Sequence, residues 1–160
     1  MNAALQTARL RLTPFAPDDL GELLAVFRDE KVRHYLLDDA VMSPGWVADE
    51  IAASQRRFAE GKLGLWSLRL HDAPAIIGFT GFLPVRGVSQ LMYGLLPAYW
   101  RQGLATEAAR AVIEAARAAG RREIVAATDI PNEASQQVLR RLGFIEQARS
   151  DGLVAYEKPL

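Results

Sequence analysis

The feature of the sequence that most constrains its fold is a junction between a strand and an alanine-rich helix, over residues 89–119. The apolar run 89–96 ends at Pro97, which cannot donate a hydrogen bond to a neighbouring strand. Residues 103–119 then repeat apolar side chains at helical spacing and stop at Gly120, a residue typical of helix C-caps. The junction predicts a strand whose pairing fails at its carboxyl end and which leads directly into a helix.

The rest of the chain alternates between the helical and strand periods of hydrophobicity, and turn residues separate the segments. Three strand-like runs lie close together before the alanine-rich helix, which favours an antiparallel meander. The predicted strands are 5–15, 65–70, 75–85, 89–96, 124–128, 144–149 and 153–157, and the predicted helices are 17–27, 44–61, 103–119 and 132–142. Their order is β-α-α-β-β-β-α-β-α-β-β, and we expect one mixed α/β (α+β) domain over residues 1–160.

The charges of the chain balance, with 19 basic and 19 acidic side chains in 160 residues. A nucleic-acid-binding surface normally requires a basic excess, so we expect no nucleic-acid partner. The sequence contains no cysteine, which excludes disulfides and thiol catalysis. His34 and His71 share no metal-ligand spacing, so we expect no metal. No apolar run approaches the length of a membrane span and no signal peptide is visible, so we expect a cytoplasmic protein without a membrane partner.

The start of the helix after Pro97 can bind an anion. Main-chain N–H groups in the first turn have no partner within the helix, and the helix dipole adds positive potential there. Gly103 and Ala105 are small enough for a diphosphate to approach the backbone, and Arg101 adds charge. A linear ligand could also bond to the strand backbone near Leu95, where pairing fails. A Walker-type phosphate loop and a dinucleotide-binding fingerprint are both excluded by the glycine pattern, so the alternative is small residues that serve tight packing alone.

Residues 93–108, with the sequence YGLLPAYWRQGLATEA, resemble the acetyl-CoA-binding signature of the GNAT acetyltransferases. The resemblance is strongest to the branch that includes the ribosomal-protein serine and alanine N-acetyltransferases. It continues at residues 7–12 (TARLRL), 17–19 (PDD), 76–81 (IIGFTG), 132–135 (NEAS), 138–139 (VL) and 142–144 (LGF). These segments, in the family's order, imply the GNAT fold: a mixed, mostly antiparallel sheet that is splayed in the middle, with helices on both faces.

The resemblance implies a site for acetyl-CoA and no metal. The splayed strand at Leu95 would hydrogen-bond the pantetheine arm, and Asn132 would bond the pantetheine or its cysteamine end. Asn is also a preferred helix N-cap, and the two roles of Asn132 do not exclude each other. Main-chain N–H groups would hold the diphosphate of the coenzyme at Arg101, Gln102, Gly103, Leu104, Ala105 and Thr106.

Two hydroxyl groups are candidates for the general acid that protonates the departing thiolate. By the resemblance, Ser135 would lie near the coenzyme sulfur, one turn after Asn132 on the same helix face. Tyr93 would point from the central strand toward the cleft and is the rival candidate. The alternatives are a solvated helix-surface residue for Ser135 and a core aromatic side chain with a satisfied hydroxyl for Tyr93.

The resemblance does not identify a general base. The family often places a carboxylate near the start of the strand that carries Tyr93, and here Gln90 occupies that position. Glu107 is an acidic residue in the first turn of a helix, which indicates a structural role. A chain of water molecules to solvent is the remaining route for the proton of the amine.

The expected reaction is direct acetyl transfer from acetyl-CoA to a primary amine, on a protein N-terminus, a peptide or a small molecule. It would rest on proximity and on stabilisation of the developing oxyanion by main-chain N–H groups of the central strand. By the resemblance, residues 33–42 would form one wall of the acceptor site, where Asp38 and Asp39 could attract a cationic amine.

Two other functions stay open at the level of the sequence. A non-catalytic sensor or scaffold that binds coenzyme A is favoured by Gln90 in place of a carboxylate. Transfer of a longer acyl group such as succinyl would need a cationic pocket near Ser135, which Arg140 and Arg141 could form if they are buried. A homodimer is expected from the habit of the family.

Overall fold

The computed structural model describes residues 3–160, which form an eight-stranded sheet and five α-helices. The helices are α1 (Leu20–Arg28), α2 (Glu30–Arg33), α3 (Pro44–Ala59), α4 (Leu104–Ala118) and α5 (Glu133–Arg141). The strands are β1 (Leu5–Gln6), β2 (Leu10–Pro14), β3 (Leu65–Leu70), β4 (Gly78–Val85), β5 (Val88–Leu95), β6 (Glu123–Asp129), β7 (Ile145–Ser150) and β8 (Leu153–Pro159). None of the helices in this part of the chain is long and apolar enough to cross a membrane.

The sheet consists of two antiparallel ladders that meet along one parallel edge. The strand order is β1-β2-β3-β4-β5-β6-β8-β7, and every neighbouring pair is antiparallel except β5 and β6. Two parallel neighbours need a crossover connection, which α4 provides here. The predicted meander is present as β3, β4 and β5.

Each face of the sheet carries its own apolar cluster. Helices α4 and α5 bury their apolar sides against one face, where Leu91 and Leu95 of β5 share a cluster with Val112. Helices α1 and α3 cover the other face, where the rings of Phe27 and Phe79 stack with their centroids 4.6 Å apart. A mostly antiparallel sheet with helices on both faces confirms the predicted fold class.

The element boundaries differ from the sequence-based ones in a few places. The strand predicted over residues 5–15 is divided into β1 and β2, because Thr7 forms a turn. Its N–H donates to the Leu10 carbonyl and its hydroxyl accepts from the Leu10 N–H. The strand predicted over 75–85 begins only at Gly78, and the short helix α2 was not predicted.

Candidate active site

Strands β5 and β6 separate beyond one point of contact. Within the described residues their register contains a single pair, Gln90 with Val125. Gln90 lies near the start of β5, so the two strands diverge from there toward Leu95 at its end. On its other side β5 is paired with β4 along its length. The predicted splay is therefore present, and it opens a gap toward the carboxyl end of β5.

Main-chain groups of β5 face this gap. The N–H of Leu96 donates to the carbonyl of Ile77, just before β4, at 2.9 Å. Because hydrogen-bonded pairs alternate along an antiparallel ladder, the main-chain groups of Tyr93 and Leu95 point away from β4 and into the gap. The Leu95 carbonyl accepts a hydrogen bond from Trp100 Nε1 at 2.7 Å. At the predicted pantetheine contact, the carbonyl of Leu95 is thus engaged and its N–H faces the gap.

The loop between β5 and α4 contains two residues with left-handed backbone. Arg101 has a φ of 62°, and Gly103, which directly precedes the helix, has a φ of 76°. Gly103 has no side chain that could cap the helix, which leaves the first-turn N–H groups to other acceptors. The six residues predicted to contact the diphosphate all lie at this helix start. Arg101, Gln102 and Gly103 are exposed, Ala105 and Thr106 are half-buried, and Leu104 is buried.

An arginine that precedes β2 holds this loop from outside. Arg9 Nη1 donates to the Gln102 carbonyl at 2.8 Å, and Arg9 Nε donates to the Glu107 carboxylate at 2.8 Å. The same carboxylate accepts from the Thr7 hydroxyl at 2.5 Å. Sequence analysis did not single out Arg9, because a strand-like alternation carries no sign of a partner 98 positions away.

These contacts decide the protonation of Glu107. Partial burial by itself would raise the pKa of the carboxyl. The hydrogen bonds from Thr7 and Arg9, together with the guanidinium charge, outweigh this effect and lower the pKa. Glu107 is therefore an ionised group that holds the start of α4 to the segment before β2.

An open pocket of about 480 Å³ adjoins the loop. Its walls come from the segment before β2, from α4 and from the end of α5. Its charged side chains are three arginines and two glutamates, a net charge of 3 − 2 = +1, at Arg9, Arg110, Arg141, Glu107 and Glu114. An excess of positive charge beside a helix start favours an anionic ligand.

The fold brings the two candidate general acids together. Tyr93 Oη lies 2.7 Å from Ser135 Oγ, and the Tyr93 hydroxyl is also within 3.2 Å of the Ser135 carbonyl. Burial raises the pKa of Tyr93 to about 12; the hydrogen bond with Ser135 opposes this shift and the nearby Tyr156 adds to it. The Tyr93 hydroxyl therefore keeps its proton at neutral pH. The two groups come from β5 and α5, on either side of the gap.

Asn132 is the N-cap of α5, as its residue type predicted. Its Oδ1 accepts from the N–H of Ser135 at 3.2 Å. The cap fixes the first turn of α5 and with it the position of Ser135 opposite Tyr93. Contact of Asn132 with a coenzyme stays a prediction.

The position expected for a general base carries Gln90, which is half-buried at the closed end of the gap. An amide side chain cannot take up a proton at neutral pH. Glu107 is committed to Arg9 and Thr7. Within residues 3–160, no three His, Asp or Glu side chains are grouped so that they could hold a metal ion.

Residues 33–42 contain a second left-handed stretch. Leu37, Asp38 and Asp39 have φ values of 51°, 59° and 58°. Arg33 Nη1 donates to the carbonyl and the carboxylate of Asp39 at 3.0 and 2.6 Å. Consecutive non-glycine residues in this conformation are strained, and such strain often occurs at ligand sites.

Comparison with known proteins identifies relatives over most of the chain. A family model described as an acetyltransferase (GNAT) domain matches residues 9–145. The uncharacterized N-acetyltransferase YoaA of Bacillus subtilis (strain 168) is 26% identical over 144 residues, which cover 88% of this chain and 81% of that protein.

Solved structures share the fold over nearly the whole chain. The ribosomal-protein-S5-alanine acetyltransferase of Vibrio fischeri has a TM-score of 0.84 at 15% identity, with 99% of this chain and 97% of that chain covered. A structure of RimL, a ribosomal L7/L12 alpha-N-protein acetyltransferase in complex with coenzyme A, has a TM-score of 0.77 at 16% identity, with 98% of both chains covered. At these identities the likeness concerns the fold.

Proposed function

Since this chain belongs to the GNAT acetyltransferase family, we propose that it transfers an acetyl group from acetyl-CoA to a primary amine of a protein N-terminus, a peptide or a small molecule. The observation that carries the proposal is the gap between β5 and β6. It has an uncapped helix start at its open end and a pair of hydroxyl groups at its side. Acetyl-CoA has a diphosphate, a linear amide-containing arm and a thioester, which correspond in order to these features.

The binding of the coenzyme would use main-chain groups more than side chains. Residues 101–106 would present N–H groups to the diphosphate, and the net positive pocket beside them would receive the nucleotide end. The N–H of Leu95 and the carbonyl of Tyr93 would hydrogen-bond the arm as an added strand. RimL, which has the same fold, was solved with coenzyme A.

The thioester of acetyl-CoA supplies the activated acetyl group. The nitrogen of the neutral amine bonds to the carbonyl carbon, the carbon–sulfur bond breaks, and a thiolate leaves. The nitrogen then releases its second proton to water in the gap. The N–H of Tyr93, which also points into the gap, would stabilise the oxyanion that develops on the carbonyl. Tyr93 would give its proton to the sulfur and regain one from solvent through Ser135, because a hydroxyl with a pKa of about 12 is fully protonated at neutral pH.

The amine must reach the thioester without its extra proton. Since Gln90 cannot accept that proton, we assign this step to water that enters the gap from solvent. The acceptor would approach along residues 33–42. Exposed Asp38 in this segment favours a cationic amine, whereas Asp39 is already paired with Arg33.

A coenzyme-A sensor or scaffold without catalysis is the second candidate, and Gln90 is the observation that favours it. Transfer of a longer anionic acyl group has lost its support. Arg140 and Arg141 are both exposed, and therefore do not form a buried cationic pocket next to Ser135.

The test is calorimetric titration of the protein with acetyl-CoA, coenzyme A and a long-chain acyl-CoA. Gly103→Val should weaken binding by at least about a hundredfold, because a β-branched residue is strained at a φ of 76° and its side chain would stand in the anion site. Gly120→Val is the matched control. It imposes similar strain at a φ of 88° at the other end of the same helix, and should leave binding within about twofold.

An amine screen with thiol release as the readout then separates the two candidates. Turnover with any primary amine supports the acetyltransferase, whereas tight binding of acetyl-CoA without turnover supports the sensor. Failure to bind any of the three ligands would contradict both.

A further inference from the structure

Trp100 is placed at the mouth of the gap, where strand β5 passes into the loop before α4. Its indole Nε1 donates to the Leu95 carbonyl at 2.7 Å. The side chain is 42% exposed, so burial of the ring does not account for its position. A directed polar contact holds the ring against the strand.

The contact satisfies a group that the splay leaves without a strand partner. The Leu95 carbonyl points into the gap, and an unpaired backbone carbonyl at a partly buried position is unfavourable. In a paired sheet, an N–H of the neighbouring strand would fill this role. Here a side chain five positions further along the same chain fills it.

The contact also connects the open edge of β5 to the loop before α4, which are the two parts of the proposed coenzyme site. Two main-chain hydrogen bonds close turns inside the loop, from Tyr99 N–H to the Leu96 carbonyl at 2.9 Å and from Trp100 N–H to the Pro97 carbonyl at 3.2 Å. Arg9 bonds the Gln102 carbonyl from outside. The indole instead reaches back to the open edge of the strand. The left-handed residue Arg101 follows immediately.

We propose that Trp100 is a positioning residue that sets the distance and angle between the strand edge and the diphosphate-binding loop. This inference rests on the proposed function, because it concerns a ligand that spans both parts. A ligand with a fixed number of bonds between its diphosphate and its amide arm can engage both only if their spacing matches its length. Trp100 acts on the ligand through Leu95 and Arg101, and not through contact with the reacting atoms.

The experiment compares Trp100→Phe with the unsubstituted protein by calorimetry, using two ligands. The first is coenzyme A, and the second is its nucleotide half, adenosine 3′-phosphate 5′-diphosphate. The Phe variant keeps one aromatic ring, and it loses the N–H donor together with the second ring of the indole. It should weaken coenzyme A binding about tenfold and change binding of the nucleotide half by less than about twofold, because only the longer ligand needs both parts in register.

Trp46→Phe is the matched control, since Trp46 packs against Phe27 on the opposite face of the sheet. It should leave both affinities unchanged. Equal weakening of both ligands by Trp100→Phe would overturn the inference, because the residue would then only build the loop. Unchanged or tighter coenzyme A binding would overturn it as well. The indole would then either contribute nothing to binding or compete with the ligand for the Leu95 carbonyl.

A second measurement needs no variant that might misfold. Hydrogen exchange at the indole N–H of Trp100 in the unsubstituted protein should slow when coenzyme A binds, and faster exchange would contradict the inference. If the unsubstituted protein binds the nucleotide half but not coenzyme A, the proposed function fails together with the inference. If the unsubstituted protein binds coenzyme A but Trp100→Phe does not weaken coenzyme A binding selectively, only the inference about Trp100 fails.

Discussion

Two segments with left-handed backbone adjoin the proposed site, residues 101–103 and residues 37–39, and they are held in different ways. Residues 101–103 are tied to a distant part of the chain, because Arg9 donates to a carbonyl of this loop from 93 positions away. Residues 37–39 are tied locally, since Arg33 donates to Asp39 across only six positions. The first stretch ends in a glycine, and the second contains none.

The difference concerns how far each stretch depends on the rest of the fold. The loop before α4 is held by contacts that exist only when β2, β5 and α4 are assembled. The polar contacts of segment 37–39 are local, and beyond them the segment is held by Leu37, which packs against the apolar cluster on the α1/α3 face. The coenzyme end of the proposed site is therefore part of the scaffold, and the acceptor end is a local structure.

The largest effect is expected from Tyr93→Phe, which tests whether the group that protonates the thiolate lies at the coenzyme end of the proposed site. Tyr93→Phe should lower kcat about a hundredfold, the lower range for loss of a general acid, and leave the Kd of coenzyme A within about twofold. Because the pKa of Tyr93 is about 12, the kcat profile of the unsubstituted protein should show no ionisation of this group below about pH 10. Steady-state rates from pH 6 to pH 10 would check both.

Tyr35→Phe provides the comparison at the acceptor end. It removes the hydroxyl of an exposed residue that is not part of the Tyr93–Ser135 pair. At saturating concentrations of both substrates, its kcat should stay within about threefold of the unsubstituted value. Equal losses of kcat in Tyr93→Phe and Tyr35→Phe would mean that proton transfer is not confined to the coenzyme end of the proposed site.

Replacing each of the two arginines that hold the left-handed stretches should have an intermediate effect on substrate binding. Arg9→Met should weaken coenzyme A binding about tenfold, since the loop loses its bond to the Gln102 carbonyl and the Glu107 carboxylate loses its partner. Arg33→Met should change that affinity by less than about twofold and act on the KM of the acceptor instead. Calorimetry and initial rates measure the two quantities separately.

Arg9→Lys distinguishes support of the loop from simple attraction between charges. Lysine keeps the positive charge but cannot present the planar fork that reaches Gln102 and Glu107 together. It should therefore bind coenzyme A almost as weakly as the Met variant, at low and at high salt. Full recovery of affinity at low salt would assign the effect of Arg9 to charge.

The smallest expected effect concerns stability. Asp38→Gly should raise the free energy of unfolding by about 0.5–1 kcal/mol, because glycine adopts a φ of 59° without strain. Arg101→Gly should give a similar gain in urea unfolding but also weaken coenzyme A binding, since it removes a charge at the anion site. A loss of coenzyme affinity in Asp38→Gly would show that the two stretches are coupled.

Much of the fold was predictable because its signals are local. The alanine-rich helix and the meander follow from hydrophobic periods in continuous segments, and Pro97 indicated where strand pairing ends. The resemblance over residues 93–108 gave the family, while the anion site at the helix start stays a prediction. Tyr93 and Ser135 were both named, but only the fold shows that they share a hydrogen bond.

The remaining features arise between segments or against local preference. The contacts of Arg9 with the loop and with Glu107 join residues more than ninety positions apart, which no period reveals. The left-handed run 37–39 lacks the glycine that would have indicated it. The indole contact of Trp100 depends on a carbonyl that is available only because the sheet opens beside it.

The single residue pair between β5 and β6 has a consequence for the lifetime of the protein. The two ladders share few main-chain bonds, so the seam between them is held mainly by the apolar cluster that spans β5, β6 and α4. A coenzyme held in that seam would stabilise the folded chain by about 2.7 kcal/mol at a free concentration a hundred times its Kd. Turnover of the protein by cellular proteases would then follow the supply of coenzyme A, so that abundance as well as rate would be matched to the metabolite.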